Sequence, residues 1–363
     1  MTRVLLTGAG GKVGPYAVQA LIERGFEVVA TDLSVDGIPG GVRFQRCDLT
    51  DAAAVDHMMS LVRPDVVVHC AAVVAPVAYA EPALAERVNL GGTKHLIDAT
   101  SKHSPDAFFV FISSYAAFGP VCPTDPIRGP DDPCTPCDNY GSQKLVAEGW
   151  LRESGLRQCS LRLGGVLSPL DLMPGHPSYR PFLFMVSLDQ TEHGVDVRDV
   201  AHAVASAVAH QPDGKVLLIG GDDSWKATAR VLRQEVFGAI GLPTPSERAF
   251  RTVADPSVPD GWFYESWMDT RESQELLQFQ RTTREDMMRE IRENHRRQST
   301  VLRPLRPLIA GGFRFASPYL GFRALVPGPT IWDDICRVYD VPRDVANAPT
   351  SSLRHGAAPV PAS

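Results

Sequence analysis

A tyrosine and a lysine stand four residues apart in YGSQK, as Tyr140 and Lys144. At that spacing two side chains share a helix face. A free tyrosine has a pKa of about 10, too high for a base at neutral pH. A neighbouring ammonium favours the phenolate and lowers that value. Such a pair can take up or return a hydroxyl proton while a hydride moves. Ser113 and Ser114 end the apolar run AFFVFIS, and a serine hydroxyl there can orient a substrate oxygen.

A second chemical signal lies near the N-terminus, in TGAGGKVG. Gly8, Gly11 and Gly14, with Gly10, Lys12 and Val13 between them, separate an expected strand from an expected helix. Glycines in that context allow a tight turn and let backbone amides and the helix N-terminus meet a pyrophosphate. Asp32 ends the next strand, close to the spacing of about 20 residues expected for a ribose-binding carboxylate. A carboxylate there repels a ribose 2′-phosphate, which favours NAD over NADP. Lys12 is the one nearby basic residue that argues the other way.

The elements that must position these residues follow from hydrophobic patterning. Strands are expected at Arg3–Thr7, Glu27–Thr31, Arg43–Arg46, Asp65–Ala71, Ala107–Ser113, Gln158–Leu163 and Lys215–Ile219. Helices are expected at Pro15–Arg24, Ala52–Val62, Glu86–Ser101, Tyr140–Ser154 and Val200–His210, the last with Asp199 as N-cap. Runs such as VVVHCAA and AFFVFIS are apolar on both faces, which indicates a parallel sheet covered on both sides. The fold class is therefore α/β, a Rossmann-type doubly wound parallel sheet with a smaller C-terminal substrate lobe.

Composition narrows the partners. The chain has 363 residues, 44% hydrophobic, with a formal net charge of -6, so nothing draws it globally to nucleic acid. No apolar run reaches the roughly 18–20 residues of a membrane span. The N-terminal apolar run is too short for a secretory signal, so a cytoplasmic location is expected. The seven cysteines lack framework spacing and are expected to be free and mostly buried. Cys134 and Cys137 form a Cys-x-x-Cys beside Tyr140, but a zinc site needs about four ligands and no second pair follows, so no metal is expected.

In order, TGAGGKVG, Asp32, CDLTD, HCAA, VNLGGT, ISSYAAFG, YGSQK with Glu148, and LRLGG resemble the extended short-chain dehydrogenase/reductase family, the NAD-dependent epimerase/dehydratase-like branch. The resemblance covers roughly residues 1–297. It implies that Tyr140 is the general acid/base, that Lys144 lowers its pKa and binds the nicotinamide ribose, and that Ser114 orients substrate. It implies that Gly8, Gly11 and Gly14 cradle the pyrophosphate, that Asp32 binds the adenosine ribose, and that Asp48 and Leu49 lie beside the adenine. Ala71 and Ala72 would line the cofactor, and Asn89 would hold neighbouring backbone there. Tyr115 and His193 are candidates for substrate contact. A homodimer through a bundle of Glu86–Ser101 and Tyr140–Ser154 is also implied.

Departures from the family bear on substrate. Gly165 stands where many sugar-nucleotide members carry asparagine, which weakens a diphosphate-sugar substrate. Ser114-Tyr115-Ala116 stands where the dehydratase branch places Thr-Asp-Glu, which argues against dehydration. The expected activity is NAD-dependent hydride transfer between a secondary alcohol or ketone and nicotinamide. The alternatives are a nucleotide-sugar epimerase with tightly bound NAD and a non-catalytic NAD-sensing protein.

The expected division assigns 1–169 and 194–222 to the dinucleotide-binding domain, and 170–193 and 223–297 to the substrate lobe. An arginine-rich extension (298–345) and a disordered tail (346–363) complete it. Asn294–Val326 holds six arginines, no acidic residue, and the aromatics Phe313, Phe315, Tyr319 and Phe322. The expected reading is arginines at helix ends over packed aromatics, or a subunit contact. Prolines at 304, 307 and 318 argue against a long amphipathic membrane helix. His69, on a buried strand, is expected to be a satisfied core histidine.

Overall fold

Seven short apolar runs assemble into one parallel sheet in a computed structural model that describes residues 1–170, 176–321 and 324–346. In chain order the strands are β1 (Arg3–Thr7), β2 (Glu27–Thr31), β3 (Arg43–Phe44), β4 (Val66–His69), β5 (Phe108–Ser114), β6 (Arg157–Leu163), β7 (Gly165–Leu167), β8 (Thr191–Asp196), β9 (Lys215–Ile219) and β10 (Lys226–Thr228). The main sheet runs β3-β2-β1-β4-β5-β6-β9, and β7, β8 and β10 form a second, three-stranded sheet. The central strands β4 and β5 are buried on both faces, as their unbroken apolar runs require.

Helices cover both sides. Gly14–Glu23 and Val197–His210 pack on one face with Val4, Leu6, Val68 and Val110. Ala52–Val62, Thr93–His103 and Asn139–Glu153 pack on the other with Leu5, Val67 and Phe109. The direction of the strand order reverses at β1. In such sheets the crevice beyond the carboxyl ends of the strands is where ligands bind.

Two local expectations change. The helix expected from Glu86 begins as a π-helical turn, Glu86–Gly92, and continues as Thr93–His103. The helix expected at Val200 starts at Val197, capped by Asp196, whose side chain accepts from the Arg198 amide. Asp199 is not the cap. It lies inside the first turn and accepts from the amides of Arg281 and Thr282 at 3.0 and 3.1 Å. A loop arriving from 82 residues away in sequence thus takes the carboxylate that local pattern assigned to the helix end.

The second lobe has its own core, including Phe184, Phe250, Phe263, Tyr264, Ile331 and Ile335. Residues beyond 297 contribute to it. Helix Ile331–Tyr339 presses Trp332 and Tyr339 against the buried Tyr79, with ring centroids 6.3 and 6.0 Å away. Asp334 is fully buried and accepts from Arg251 Nε at 2.8 Å, the Tyr319 hydroxyl at 3.2 Å and the Gly328 amide at 2.8 Å.

The arginine-rich stretch is mixed. Phe313 sits between Phe184 and Phe237, and Arg306 donates to the carbonyls of Gly241 and Leu242. Phe315 is 82% exposed. Pro304 and Pro307 occupy the first turns of successive helical pieces, where a missing N–H costs nothing, so they do not break a helix internally. Phe322, and residues 347–363 of the expected tail, lie outside the described residues.

Among the described residues no helix is long and apolar enough to cross a membrane.

Candidate active site

At the carboxyl edge of the main sheet lies a cavity of about 800 Å³. One end is bounded by the turn after β1, and the other reaches the second lobe.

The turn is built for close backbone approach. Gly8 has φ +70, and a Cβ there would sit 2.6 Å from Ala71 Cα. A Cβ on Gly14 would sit 2.3 Å from the Gly8 carbonyl oxygen. Side chains are thus excluded where helix Gly14–Glu23 begins, and that helix points its N-terminus at the cavity. Asp32 is fixed by two amides, Gly10 at 3.0 Å and Leu33 at 2.7 Å. Asp48 accepts from the amide and hydroxyl of Thr50, which hold its carboxyl below the usual range. Lys12 Nζ donates to the Val166 carbonyl at 2.8 Å. The glycine turn, the helix N-terminus behind it and the Asp32 carboxylate at the end of β2 fit the pyrophosphate and ribose of a dinucleotide.

Helix Asn139–Glu153 delivers Tyr140 and Lys144 to the cavity wall. Its N-cap is Asp138, which accepts from the Gly141 amide at 2.6 Å and the Tyr79 hydroxyl at 2.8 Å. Burial pushes the Asp138 carboxyl up to about 6, against those hydrogen bonds. Asp138 and Tyr79 escape a reading of motifs. Aspartate before a helix is a cap signal, but its tyrosine partner lies 59 residues upstream.

Lys144 Nζ donates to the Ile112 carbonyl at 2.7 Å and stands 5.8 Å from the centroid of the Tyr140 ring. Burial pushes Lys144 down to about 8. Burial also pushes the Tyr140 phenol above its ordinary value, while the neighbouring Ser114 hydroxyl pulls it back. The two residues share a face as their spacing requires, but here the ammonium is held by strand backbone and Ser114 is the phenol's neighbour.

Behind them lies a buried ion pair. Arg162 grips both oxygens of Glu148, at 3.0 and 2.7 Å, and the Ser113 hydroxyl donates to the same carboxylate at 2.5 Å. Ser113 therefore faces the sheet interior's polar floor, and Ser114 is the serine beside Tyr140.

The cavity is lined by Gly8, Gly10, Gly11, Lys12, Val13, Gly14, Asp32, Asp48, Leu49, Ala71, Ala72, Ser114, Tyr115, Tyr140, Lys144 and His193. Asn89 is the exception. It is buried outside the lining, with its amide spent on Val73 N and O at 2.8 and 2.9 Å and on Gln143 at 2.7 Å. It ties a cavity loop to the Tyr140 helix, holding the Val73 backbone from outside the lining.

Both histidines singled out in the sequence are held by neighbours. His69 lies between the hydroxyls of Thr7 and Thr93 at 2.7 and 2.8 Å. Burial lowers it to about 3. His193 Nδ1 accepts from the Met268 amide at 3.1 Å, so Nε2 donates to the Gly221 carbonyl at 2.9 Å. Burial lowers His193 to about 4. It lines the cavity with both nitrogens already engaged. Cys134 and Cys137 are free thiols outside the cavity lining.

Several lining residues went unread in the sequence: Tyr179, Glu192, Leu232, Tyr264, Glu265 and Ser266. They come from four separate segments of the second lobe and carry no shared spacing.

Residues 4–220 match the NAD dependent epimerase/dehydratase family. A UDP-glucose 4-epimerase of Azospirillum brasilense is 34% identical over 158 residues, 42% of this chain and 44% of its own length. Methionine adenosyltransferase 2 subunit beta of Rattus norvegicus is 30% identical over 162 residues, 44% of this chain and 46% of its own length. The chain thus spans less than half the length of these two relatives. Among solved structures, the UDP-glucose 4-epimerase of Thermus thermophilus in complex with NAD has a TM-score of 0.66 at 25% identity. That match covers 82% of this chain and 99% of the other.

Proposed function

Because this chain belongs to the NAD-dependent epimerase/dehydratase family, we propose that it is an NAD-dependent enzyme acting on a secondary alcohol or its ketone. The observation that carries the reading is the placement of Tyr140, Ser114 and Lys144 on the wall of the same cavity as the glycine turn.

NAD, when bound, supplies the acceptor or donor of a hydride. The turn from Gly8 to Gly14 would hold its pyrophosphate, Asp32 its adenosine ribose, and Asp48 with Leu49 its adenine. Ala71 and Ala72 would line it, and Lys144 would meet the nicotinamide ribose. Tyr140 Oη takes the proton of the substrate hydroxyl in oxidation and returns it in reduction. Ser114 Oγ orients the substrate oxygen toward Tyr140 Oη. The Lys144 ammonium, close to Tyr140, favours the phenolate when the site is filled.

A second reading is epimerisation with NAD reduced and reoxidised within one cycle. It is favoured by the likeness to two proteins named UDP-glucose 4-epimerase, and it uses the same Tyr140, Lys144 and Ser114. One experiment separates them. The protein is incubated with NAD and a metabolite panel while NADH absorbance and product mass are followed together. Stoichiometric NADH with an oxidised product supports net oxidation. An isomeric product without net NADH supports epimerisation. A cofactor titration showing no NAD binding would overturn both.

The reading extends to a homodimer formed through the helices Thr93–His103 and Asn139–Glu153. A monomeric mass in sedimentation equilibrium would contradict it.

A further inference from the structure

The helix that carries Tyr140 is tethered at its start to a distant part of the chain. Tyr140 is the second residue of helix Asn139–Glu153, so the first turn of that helix sets where its phenol stands. Two buried ties hold that turn from one side. The Tyr79 hydroxyl donates to Asp138 Oδ2 at 2.8 Å, while Asp138 Oδ1 accepts from the Gly141 amide at 2.6 Å. Asn139 Nδ2 donates to the Ala78 carbonyl at 2.8 Å. Ala78 and Tyr79 lie in the short helix Val77–Ala80, and Tyr79, Asp138 and Asn139 are each no more than 1% exposed.

A side-chain cap satisfies an amide that the helix itself leaves unpaired. Here the cap cannot swing, because its second oxygen is fixed by Tyr79. Burial favours the neutral Asp138 carboxyl, whereas the Tyr79 donation favours the charged form, the stronger acceptor.

Tyr79 is in turn held by rings of the second lobe. Phe182, Trp332 and Tyr339 stand 6.1, 6.3 and 6.0 Å from its ring centroid. Trp332 and Tyr339 belong to helix Ile331–Tyr339, which lies beyond the residues that match the family, 4–220. That helix is anchored by Asp334 on Arg251 and by the Tyr339 hydroxyl, which donates to the Ser178 carbonyl at 2.8 Å. Ser178 precedes Tyr179, a cavity residue. Helix Ile331–Tyr339 thus reaches the cavity wall at two places, through Tyr79 and through Ser178.

We infer that Tyr79 is a positioning residue for Tyr140, acting through the Asp138 cap and held by helix Ile331–Tyr339. The inference rests on the reading of Tyr140 as the group that moves the proton. Proton and hydride transfer need the reacting atoms in close register, and a misplacement of about 1 Å can cost about a hundredfold in rate. Loss of the Tyr79 hydroxyl releases the cap on one side and leaves the glycine turn after β1 untouched. Its cost therefore falls on rate and not on cofactor binding.

The test reads the position of Tyr140 directly. Protein grown with 3-fluorotyrosine gives a fluorine NMR signal for each of its eight tyrosines, and Tyr140→Phe identifies the one at 140. Tyr79→Phe removes one hydroxyl and keeps the ring. It is expected to move the Tyr140 signal by more than its linewidth, with and without NAD. Asp138→Ser keeps a capping oxygen but has none left for Tyr79. It should move the signal too, and Tyr79→Phe added to it should move it no further. Trp332→Leu withdraws a ring that braces Tyr79 and is expected to move the signal as well. With a substrate from the metabolite panel, Tyr79→Phe should lower kcat by about tenfold, with KM and NAD affinity unchanged. A folded Tyr79→Phe protein with the Tyr140 signal in place overturns the inference, as does a loss seen in KM alone. Where Tyr79→Phe does not fold, Asp138→Ser decides, and an unmoved signal there overturns the inference. An unmoved signal in Trp332→Leu removes helix Ile331–Tyr339 from it. The fluorine signal is read without turnover. Failure of the proposed activity therefore shows separately, as NAD binding without turnover of any alcohol or ketone.

Discussion

At the glycine end of the cavity, the ligand surface is mostly backbone. It is drawn from a few short segments in the first 72 residues, each at the end of a β-strand. At the lobe end it is side chain, assembled from Tyr115, Tyr179, Glu192, Leu232 and Tyr264–Ser266. The first end is fixed by the sheet itself, since every strand that ends there must present its carboxyl edge. The second depends on long-range packing of a lobe that includes residues beyond 297. A shared scaffold can therefore keep one end constant while the other is free to change its ligand.

Behind Tyr140 and Lys144, outside the cavity lining, is the buried Arg162–Glu148 pair, and breaking it should cost most. Arg162→Met leaves Glu148 buried with only the Ser113 hydroxyl as partner, an expected loss of about 3–5 kcal/mol in chemical denaturation. Adding Glu148→Leu removes the stranded charge and should restore most of that loss. An unchanged stability in the single variant would show that the pair is more solvated than its geometry indicates.

At the lobe end, His193 is expected to make the fold acid-sensitive. Its folded pKa lies below its unfolded value, so its contribution is present above about pH 6.5 and is lost as pH falls through about 4. The loss amounts to about 3 kcal/mol. Asp138 and Asp199, both raised to about 6, act in the opposite sense, with stability falling as pH rises between about 4 and 6. The difference in melting between wild type and His193→Gln, compared at pH 7 and pH 4, isolates the histidine. A difference that does not change with pH would remove His193 from the account.

At the glycine end, Gly8→Val forces a Cβ against Ala71 Cα at a positive φ. It should lower stability by about 1–3 kcal/mol and NAD affinity by about tenfold or more, while leaving the lobe's aromatic packing intact. Full NAD affinity, read by fluorescence titration, would show that this backbone is not the cradle.

The same contrast explains what the sequence could tell. β1, β2, β9 and helix Ala52–Val62 lie at their expected bounds, because doubly apolar strands and local caps are short-range signals. Tyr140, Lys144 and the glycine turn were legible because a helix turn and a strand-turn-helix each fix their spacing. Asp199 was misread because its partners, Arg281 and Thr282, reach it from another element. Asn89 was expected to hold backbone beside the cofactor, but which backbone, that of Val73, and its partner Gln143 become neighbours only after folding. Glu192 and Glu265 gave no signal, since two glutamates 73 residues apart look like surface residues until the lobe closes around them.

The account turns on Tyr140 as the group that moves the proton while NAD sits in the glycine end. The direct measurement compares wild type and Tyr140→Phe for NAD affinity and for turnover of a substrate found in the metabolite panel. The account predicts unchanged NAD affinity and turnover lower by about 10²–10⁴-fold. Near-wild-type turnover in Tyr140→Phe, with fold and NAD affinity intact, would contradict it.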